Sequence, residues 1–265
     1  GWFEKLEDVV SERELASHAE KYKAIAGFAI EELNAAERIV RLATATLDVN
    51  ERFSIALSGG STPGPMYAML ADKFDRYLDW ERIHLFFGDE RCVAPDDERS
   101  NFRMVKESLL DKIDIPDANV HRIRGEDAPE IAAKAYAEEI KSFFGDEEGF
   151  FDLNLLGIGE DGHTASLFPG MKAIHEQHKL MIAHHVEAKG NTWRISQTFP
   201  TILRSSNIMF VISGEGKAEA LKAILEGDYA PDVYPSQVIS RSNHPRSHTH
   251  SHNHPSPLCP PHYRP

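Results

Sequence analysis

Short apolar segments alternate with polar loops and with helical patterns along most of the 265-residue chain. The strand candidates are the apolar segments 53–58, 82–87, 151–158, 180–186, 192–197 and 207–213. Apolar positions recur at helical spacing in 11–47, 66–70, 102–113, 129–140 and 216–225. A chain that alternates strands with helices in this way is predicted to fold as an α/β protein.

Three helix starts are marked by capping residues. Ser11 followed by Glu14 forms a capping-box pattern at the start of the first helix, and Ser100 is the predicted N-cap of the helix at 102–113. Asp127 is predicted to cap another helix, with Pro129 in its first turn.

The strand–helix alternation predicts a doubly wound, mostly parallel sheet with helices on both faces. The nearly continuous hydrophobicity of 151–158 favours this arrangement, because parallel strands are buried on both sides. Ligands bind such sheets at the carboxyl ends of the strands, so the polar loops that follow residues 58, 87 and 156 are expected to converge on one crevice. We expect 1–240 to form a single α/β domain.

The last residues, 241–265, differ in kind from the rest of the chain. They are rich in His, Pro and Ser, show no apolar periodicity, and favour neither helix nor sheet. Disorder is therefore expected from about residue 242 onward. The stretch contains six histidines, which we take to be incidental and not a designed metal site: His244, His248, His250, His252, His254 and His262.

Charge and composition exclude several classes of protein. A formal net charge of −13 argues against a nucleic-acid partner or an anionic membrane surface. No long apolar run predicts a membrane span, and the first residues are charged, so we expect a cytoplasmic protein. The two cysteines, Cys92 and Cys259, cannot build a disulfide framework or a zinc cage. An anionic substrate would need a locally basic pocket.

The first segment with recognisable chemistry is Ser58-Gly59-Gly60-Ser61-Thr62-Pro63-Gly64, between a predicted strand and a predicted helix. Glycines let a phosphate approach backbone N–H groups, and the hydroxyls add donors. The segment is not a Walker loop, because no Gly-Lys-Ser/Thr follows. A tight turn without a ligand is the alternative.

The second segment is Gly88-Asp89-Glu90-Arg91, directly after an apolar strand. Two carboxylates beside an arginine could order a site or bind a polyhydroxy sugar. A solvated charged turn is the alternative interpretation.

The third segment runs from Gly157 to Gly170 and contains Asp161 and His163. Its G-x-G-x-x-G spacing is not a dinucleotide site, because Pro169 and Gly170 end any following helix and no acidic residue stands at the required distance. A histidine in a glycine-rich loop after a buried strand is suited to general-base catalysis near neutral pH, and Asp161 could orient it. A structural histidine is the alternative.

Two cations complete the candidate set. Arg194 lies in a predicted strand and Lys217 near a predicted helix start, so both could reach the same crevice and bind a phosphate. Ordinary surface charges are the alternative.

The segments LSGGSTP, FFGDERCVAPDDERSNFRM, FDLNLLGIGEDGHTASLFPG, WRIS and SGEGKAEAL resemble, in order and spacing, those of the 6-phosphogluconolactonase family. The resemblance covers about residues 10–240. It implies the doubly wound fold shared with glucosamine-6-phosphate deaminases and ribose-5-phosphate isomerases, and hydrolysis of 6-phosphoglucono-δ-lactone to 6-phosphogluconate in the oxidative pentose phosphate pathway. After residue 240 the resemblance ends, where the family continues with a strand and a short helix.

The resemblance also implies roles for individual residues. His163 matches the base that activates water, and the active-site loops are matched by Asp161, Asp89, Glu90 and Arg91. The sugar phosphate is expected at Ser58, Gly59, Gly60, Ser61, Thr62, Arg194 and Lys217. No metal or organic cofactor is required, and a monomer or homodimer is expected. Ser166 as a nucleophile is less favoured, because it lacks a G-x-S-x-G elbow.

Two other functions remain open at this point. A sugar-phosphate isomerase or deaminase of the same fold would have a sequence like DGHIAFNEP around the histidine, and an Asp-Glu-Tyr loop in place of Asp89-Glu90-Arg91. Both segments of this chain differ from that pattern and therefore favour the lactonase. A non-catalytic sugar-phosphate sensor would have no need of His163, and no basic helix-turn-helix precedes the domain.

Overall fold

The computed structural model describes residues 19–145, 149–187, 190, 192–242 and 247–249. Within these ranges the helices are α1 (Ala19–Leu47), α2 (Pro63–Met69), α3 (Asn101–Ser108), α4 (Pro129–Phe144), α5 (Phe199–Leu203), α6 (Ala218–Glu226) and α7 (Gln237–Ser240). The strands are β1 (Phe53–Leu57), β2 (Ile83–Phe87), β3 (Asp89–Arg91), β4 (Val120–His121), β5 (Leu153–Leu156), β6 (Met181–Val186), β7 (Thr192–Gln197), β8 (Ile208–Phe210) and β9 (Ser247–Thr249).

Six of these strands form one parallel sheet in the order β4-β2-β1-β5-β8-β9. All residues of β1 and of β5 are buried, so both faces of the sheet centre are covered. The predicted α/β fold with a mostly parallel sheet is confirmed. The chain adds β2 and β4 on one side of β1, and β5 and β8 on the other. This reversal of direction places a crevice at the carboxyl ends of β1 and β5.

A second sheet was not predicted. Strands β3, β7 and β6 form an antiparallel sheet; the sequence predicted strands at 180–186 and 192–197 but did not place them in a sheet of their own. Gly88 connects the two sheets: its N–H donates to Leu57 O (2.9 Å), and its carbonyl accepts from the N–H of Gln197 (2.8 Å). The segment 89–91, expected as a loop, is therefore a short strand that leads directly out of the parallel sheet.

The helix starts agree with the capping predictions in one case and differ in another. Ser100 caps α3, with its hydroxyl oxygen accepting from the N–H of Arg103. Asp127 does not cap α4; the N-cap is Ala128, without a side-chain hydrogen bond, because Pro129 sets the first turn. The capping box at Ser11 and Glu14 lies outside the described residues. None of the helices in the described ranges is both long and apolar enough to cross a membrane.

The tail differs from its prediction over three residues. Ser247–Thr249 pairs with β8 in parallel, with Ile208 opposite Ser247. The expectation that neither helix nor sheet is favoured after residue 241 is therefore wrong for this segment, because the free edge of β8 offers backbone partners to any extended chain. The rest of 243–265 lies outside the described residues.

A pair of histidines lies at the other end of the parallel sheet. His84 Nδ1 is 3.1 Å from His121 Nε2, and His121 Nδ1 is 2.8 Å from Glu139 Oε1. Burial, followed by the nearby His121 and Arg52, lowers the pKa of His84 to about 4.

This pair gives a prediction for stability against pH. The pKa of His84 is lower in the folded protein than the usual 6.5 of an unfolded chain, so the unfolded chain binds the proton first. We expect the contribution of His84 to be fully present above about pH 6.5 and to be lost as the pH falls toward 4. Urea unfolding from pH 7 to pH 4.5 should show a shallower loss of stability for His84→Gln than for the unchanged protein. Equal slopes would contradict this assignment.

Candidate active site

The loop of residues 58–62 joins β1 to α2 at the crevice. Tyr67, which is fully buried, holds its start: the N–H of Ser58 donates to Tyr67 Oη (3.0 Å), and Tyr67 Oη donates to Ser58 O (2.9 Å). Gly59 lies against the amide of Asn101, where a Cβ would be only 1.9 Å from Oδ1. The glycine therefore allows the 58–62 loop and the start of α3 to meet without a side chain between them.

The far side of this loop is joined to Lys217. Thr62 Oγ1 is 3.1 Å from Ser213 Oγ, and Lys217 Nζ donates to Thr62 Oγ1 at 3.5 Å. Lys217 is half-buried and is the N-cap residue of α6. Burial lowers its pKa, and the carboxylate of Glu160 opposes that shift. A partly desolvated ammonium beside hydroxyl groups is suited to binding an anion.

Strand β3 carries two carboxylates with different environments. Asp89 Oδ2 accepts from Ser166 Oγ (2.6 Å), and Asn101 Nδ2 donates to Asp89 O (2.9 Å) and to Asp89 Oδ1 (3.2 Å). Asp89 lines the crevice. Ser166 and Asn101 are themselves almost completely buried, so the Asp89 carboxylate is fixed in one orientation.

Glu90 points away from the crevice and binds the start of α3. Its Oε1 accepts from the N–H groups of Arg91 and Asn101 (both 2.7 Å), and its Oε2 accepts from the N–H of Phe102 (2.8 Å) and from Ser100 Oγ (3.0 Å). Glu90 is 2% exposed, and this burial raises its pKa in spite of the donors. The sequence-based interpretation placed Glu90 among the catalytic groups, whereas its geometry is that of a residue that positions a loop and a helix.

This geometry predicts a stability effect. In Glu90→Gln an NH₂ group would face N–H donors in a buried position, so we expect a loss of about 2–3 kcal/mol in the free energy of unfolding. Urea denaturation measures the loss. Glu98→Gln, an exposed change of the same kind, serves as the control. Unchanged stability of Glu90→Gln would show that these hydrogen bonds contribute little.

Two arginines meet across the antiparallel sheet. Arg91 on β3 is paired in register with Arg194 on β7, and both line the crevice. Arg91 Nη1 donates to the carbonyl of Arg99, which holds its guanidinium in place. Burial, followed by the nearby Arg91 cation, lowers the pKa of Arg194, and the carboxylates of Asp89 and Glu90 oppose that change. Two adjacent cations give an acidic protein a basic patch.

His163 follows a tight turn at the end of β5. The turn is closed by the N–H of Gly162, which donates to Gly159 O (2.9 Å), and Gly159 N–H donates to His163 O (2.9 Å). Asp161 Oδ1 contacts His163 Nδ1, and the imidazole packs on Phe168 with ring centroids 4.4 Å apart. Because Nδ1 is engaged by the carboxylate, Nε2 is the nitrogen available to a reactant in the crevice.

The three loops converge as expected and enclose a cavity of about 340 Å³. Most of the residues predicted from the sequence line it: Ser58, Gly59, Gly60, Ser61, Thr62, Asp89, Arg91, His163, Arg194 and Lys217. Two do not, because Asp161 lies behind His163 and Glu90 is turned toward α3. Within the described ranges, no group of three or more His, Cys, Asp and Glu side chains could hold a metal ion.

Sequence reasoning missed Asn101 and Glu160 as wall residues and considered Ser166 only as a nucleophile. Asn101 and Glu160 stand inside the quoted segments, so their nearness to the site was available, but their direction was not. Ala165, between His163 and Ser166, has a φ of +48°, which is strained for a residue with a Cβ. This conformation turns the chain so that His163 and Ser166 both line the cavity.

The fold and the cavity define an α/β protein with a cationic pocket and a carboxylate-oriented histidine at the carboxyl end of its parallel sheet. A sequence model of the family described as Glucosamine-6-phosphate isomerases/6-phosphogluconolactonase matches residues 32–249. The chain belongs to this family.

Named relatives within it are similar over most of their length. A 6-phosphogluconolactonase from Synechocystis sp. is 43% identical over 190 residues, which is 70% of this chain and 77% of the relative. One from Aggregatibacter actinomycetemcomitans is 37% identical over 211 residues, covering 79% and 89%. The crystal structure of 6-phosphogluconolactonase from Thermotoga maritima superposes with a TM-score of 0.68 at 32% identity, covering 77% of this chain and 89% of that one.

Proposed function

We propose that this protein hydrolyses 6-phospho-D-glucono-1,5-lactone to 6-phosphogluconate, as in the oxidative pentose phosphate pathway. Its relatives in Synechocystis sp. and Aggregatibacter actinomycetemcomitans bear the name of that activity. The observation that carries the proposal is a single cavity that holds both His163, in contact with Asp161, and the cations Arg194 and Lys217. The first pair suits water activation, and the second suits a phosphate.

In the proposed reaction, His163 Nε2 accepts a proton from a water molecule as the water oxygen bonds to C1 of the lactone. The Asp161 carboxylate stabilises the imidazolium that forms. The tetrahedral intermediate collapses with cleavage of the bond between C1 and the ring oxygen, and His163 returns the proton to that oxygen. Arg91 or backbone N–H groups of the surrounding loops would stabilise the negative oxygen on C1. The δ-lactone is already electrophilic, so the chemistry needs no cofactor.

The remaining site residues bind and orient the sugar. Lys217, Arg194 and the loop of residues 58–62 would hold the phosphate, and this remote binding fixes C1 against His163. The Asp89 carboxylate, held by Ser166 and Asn101, is placed to accept a hydrogen bond from a sugar hydroxyl. Glu90 acts through the backbone of β3 and α3, and we assign it a positioning role.

Covalent catalysis by Ser166 is less favoured by its contacts. Ser166 Oγ donates to the Asp89 carboxylate at 2.6 Å. Asp89 is not an imidazole base, and the Ser166 hydroxyl is directed to this carboxylate and not to His163. The hydroxyl is therefore suited to fixing Asp89.

We further propose that the protein acts in the cytoplasm as a monomer or homodimer on a small phosphorylated lactone. Its formal net charge of −13 supports the expectation that it has no nucleic-acid or anionic membrane partner.

The proposal is tested by supplying the full chain with fresh 6-phosphogluconolactone and, separately, with glucosamine 6-phosphate. Coupled oxidation of the product should show lactone opening well above the spontaneous rate, and glucosamine 6-phosphate should release no ammonia. Ammonia release would support the deaminase alternative. Tight binding of 6-phosphogluconate without lactone turnover would support a sensor.

A further inference from the structure

Glu160 is, with Asp89, one of two acidic side chains in the wall of a pocket that also presents cations to its ligand. It follows Gly159 in the same turn that carries Asp161, which is closed by the Gly162 N–H to Gly159 carbonyl hydrogen bond. Asp161 reaches back to His163, whereas Glu160 reaches the chain that precedes α6. One turn therefore serves the proposed base and the opposite side of the pocket.

The place of the Glu160 carboxylate is set by Gly216. A Cβ on Gly216 would be 2.6 Å from Glu160 Oε1, so the absence of a side chain there allows the carboxylate to lie against the turn Glu215–Lys217. The next residue is Lys217, which lines the same pocket and donates to Thr62 Oγ1. The carboxylate thus lies beside the lysine that we assign to the phosphate.

The charges of the Glu160 carboxylate and the Lys217 ammonium interact. The charge of Glu160 raises the pKa of Lys217 against the effect of burial. A phosphate bound at Lys217 would take over this role as counter-ion, and its negative charge would repel the Glu160 carboxylate. Hydrolysis also converts a neutral lactone group into a carboxylate, so the product carries one more negative charge than the substrate.

We propose that Glu160 is a specificity and release residue, which keeps the phosphate site from binding anions too tightly and favours departure of the more negative product. This inference rests on the proposed function of the site. Glu160 touches no reacting atom; it acts through the field at Lys217.

The test compares Glu160→Gln with Glu215→Gln in the full chain. Glu215 lies in the same turn as Lys217, is exposed, and does not line the pocket, so its change removes the same charge from a neighbouring position. Inorganic phosphate and 6-phosphogluconate are titrated into each protein by calorimetry, at low and at high salt. The inhibition constant of 6-phosphogluconate is measured in the lactone assay.

For Glu160→Gln we expect both anions to bind about 3- to 10-fold more tightly at low salt, as for loss of a like charge at a partly exposed site. The gain should be larger for 6-phosphogluconate than for phosphate and should shrink at high salt. Glu215→Gln should bind both anions as the unchanged protein does.

Unchanged or weaker anion binding in Glu160→Gln, or an equal gain in Glu215→Gln, would overturn the proposal. Calorimetry does not depend on turnover, so this result is separate from the fate of the proposed function. If the unchanged protein failed to accelerate lactone opening, the proposed reaction would be wrong, while the phosphate titrations would still decide the role of Glu160.

Discussion

Replacing His163 with alanine is expected to lower kcat for 6-phosphogluconolactone by about 100-fold or more, because a general base contributes a factor of this size. The imidazole is held between the Asp161 carboxylate and the Phe168 ring, so its Nε2 is already directed to the cavity before substrate binds. Side-chain truncation on this loop should leave the sheet intact. Initial rates, corrected for spontaneous hydrolysis, measure the effect.

The matched control is His178→Ala, since His178 is exposed and does not line the cavity. It should retain the full rate. The kcat of Asp161→Asn should lie between those of His163→Ala and His178→Ala, because the imidazole would lose the carboxylate that orients it. Full activity in a folded His163→Ala protein would remove His163 from the mechanism.

The second large effect concerns the phosphate. Lys217→Ala and Arg194→Ala should each lower kcat/KM for the phosphorylated lactone by about 10- to 100-fold, the range for a lost hydrogen bond to a charged group. The kcat/KM for unphosphorylated gluconolactone should fall much less, because this substrate has no phosphate to contact these cations. The measurement is the ratio of kcat/KM for the two substrates.

Lys222→Ala provides a control in α6, the helix that Lys217 precedes, where the Lys222 side chain is exposed. It should leave the substrate ratio unchanged. If Lys217→Ala and Arg194→Ala lowered kcat/KM for both substrates equally, these residues would serve the structure of the site and the phosphate would be bound elsewhere.

The parallel sheet could be predicted because its strands carry their own signal. The segment 53–58 is apolar and breaks at two glycines, and β1 occupies 53–57. The convergence of the loops after β1, β2 and β5 followed from a general property of such sheets, and the cavity at Ser58, Asp89 and His163 confirms it.

The antiparallel sheet could not be predicted in the same way. Periodicity identifies a strand but not its partner, and the pairing of Arg91 with Arg194 depends on contacts more than 100 residues apart in the chain. The direction of Glu90 was equally hidden, since alternation along a three-residue strand gives no preference between cavity and helix. Its role is determined by the N–H groups at the start of α3.

Opening of a phosphorylated sugar lactone by this chain is tested most directly by the rate of lactone disappearance as a function of protein concentration. NMR follows fresh 6-phosphogluconolactone and its acid product directly, without a coupling enzyme. The predicted result is a first-order rate constant that rises in proportion to the concentration of the unchanged protein and stays near the buffer value with His163→Ala. A rate constant that remains at the buffer value at every concentration of folded, unchanged protein would contradict the account.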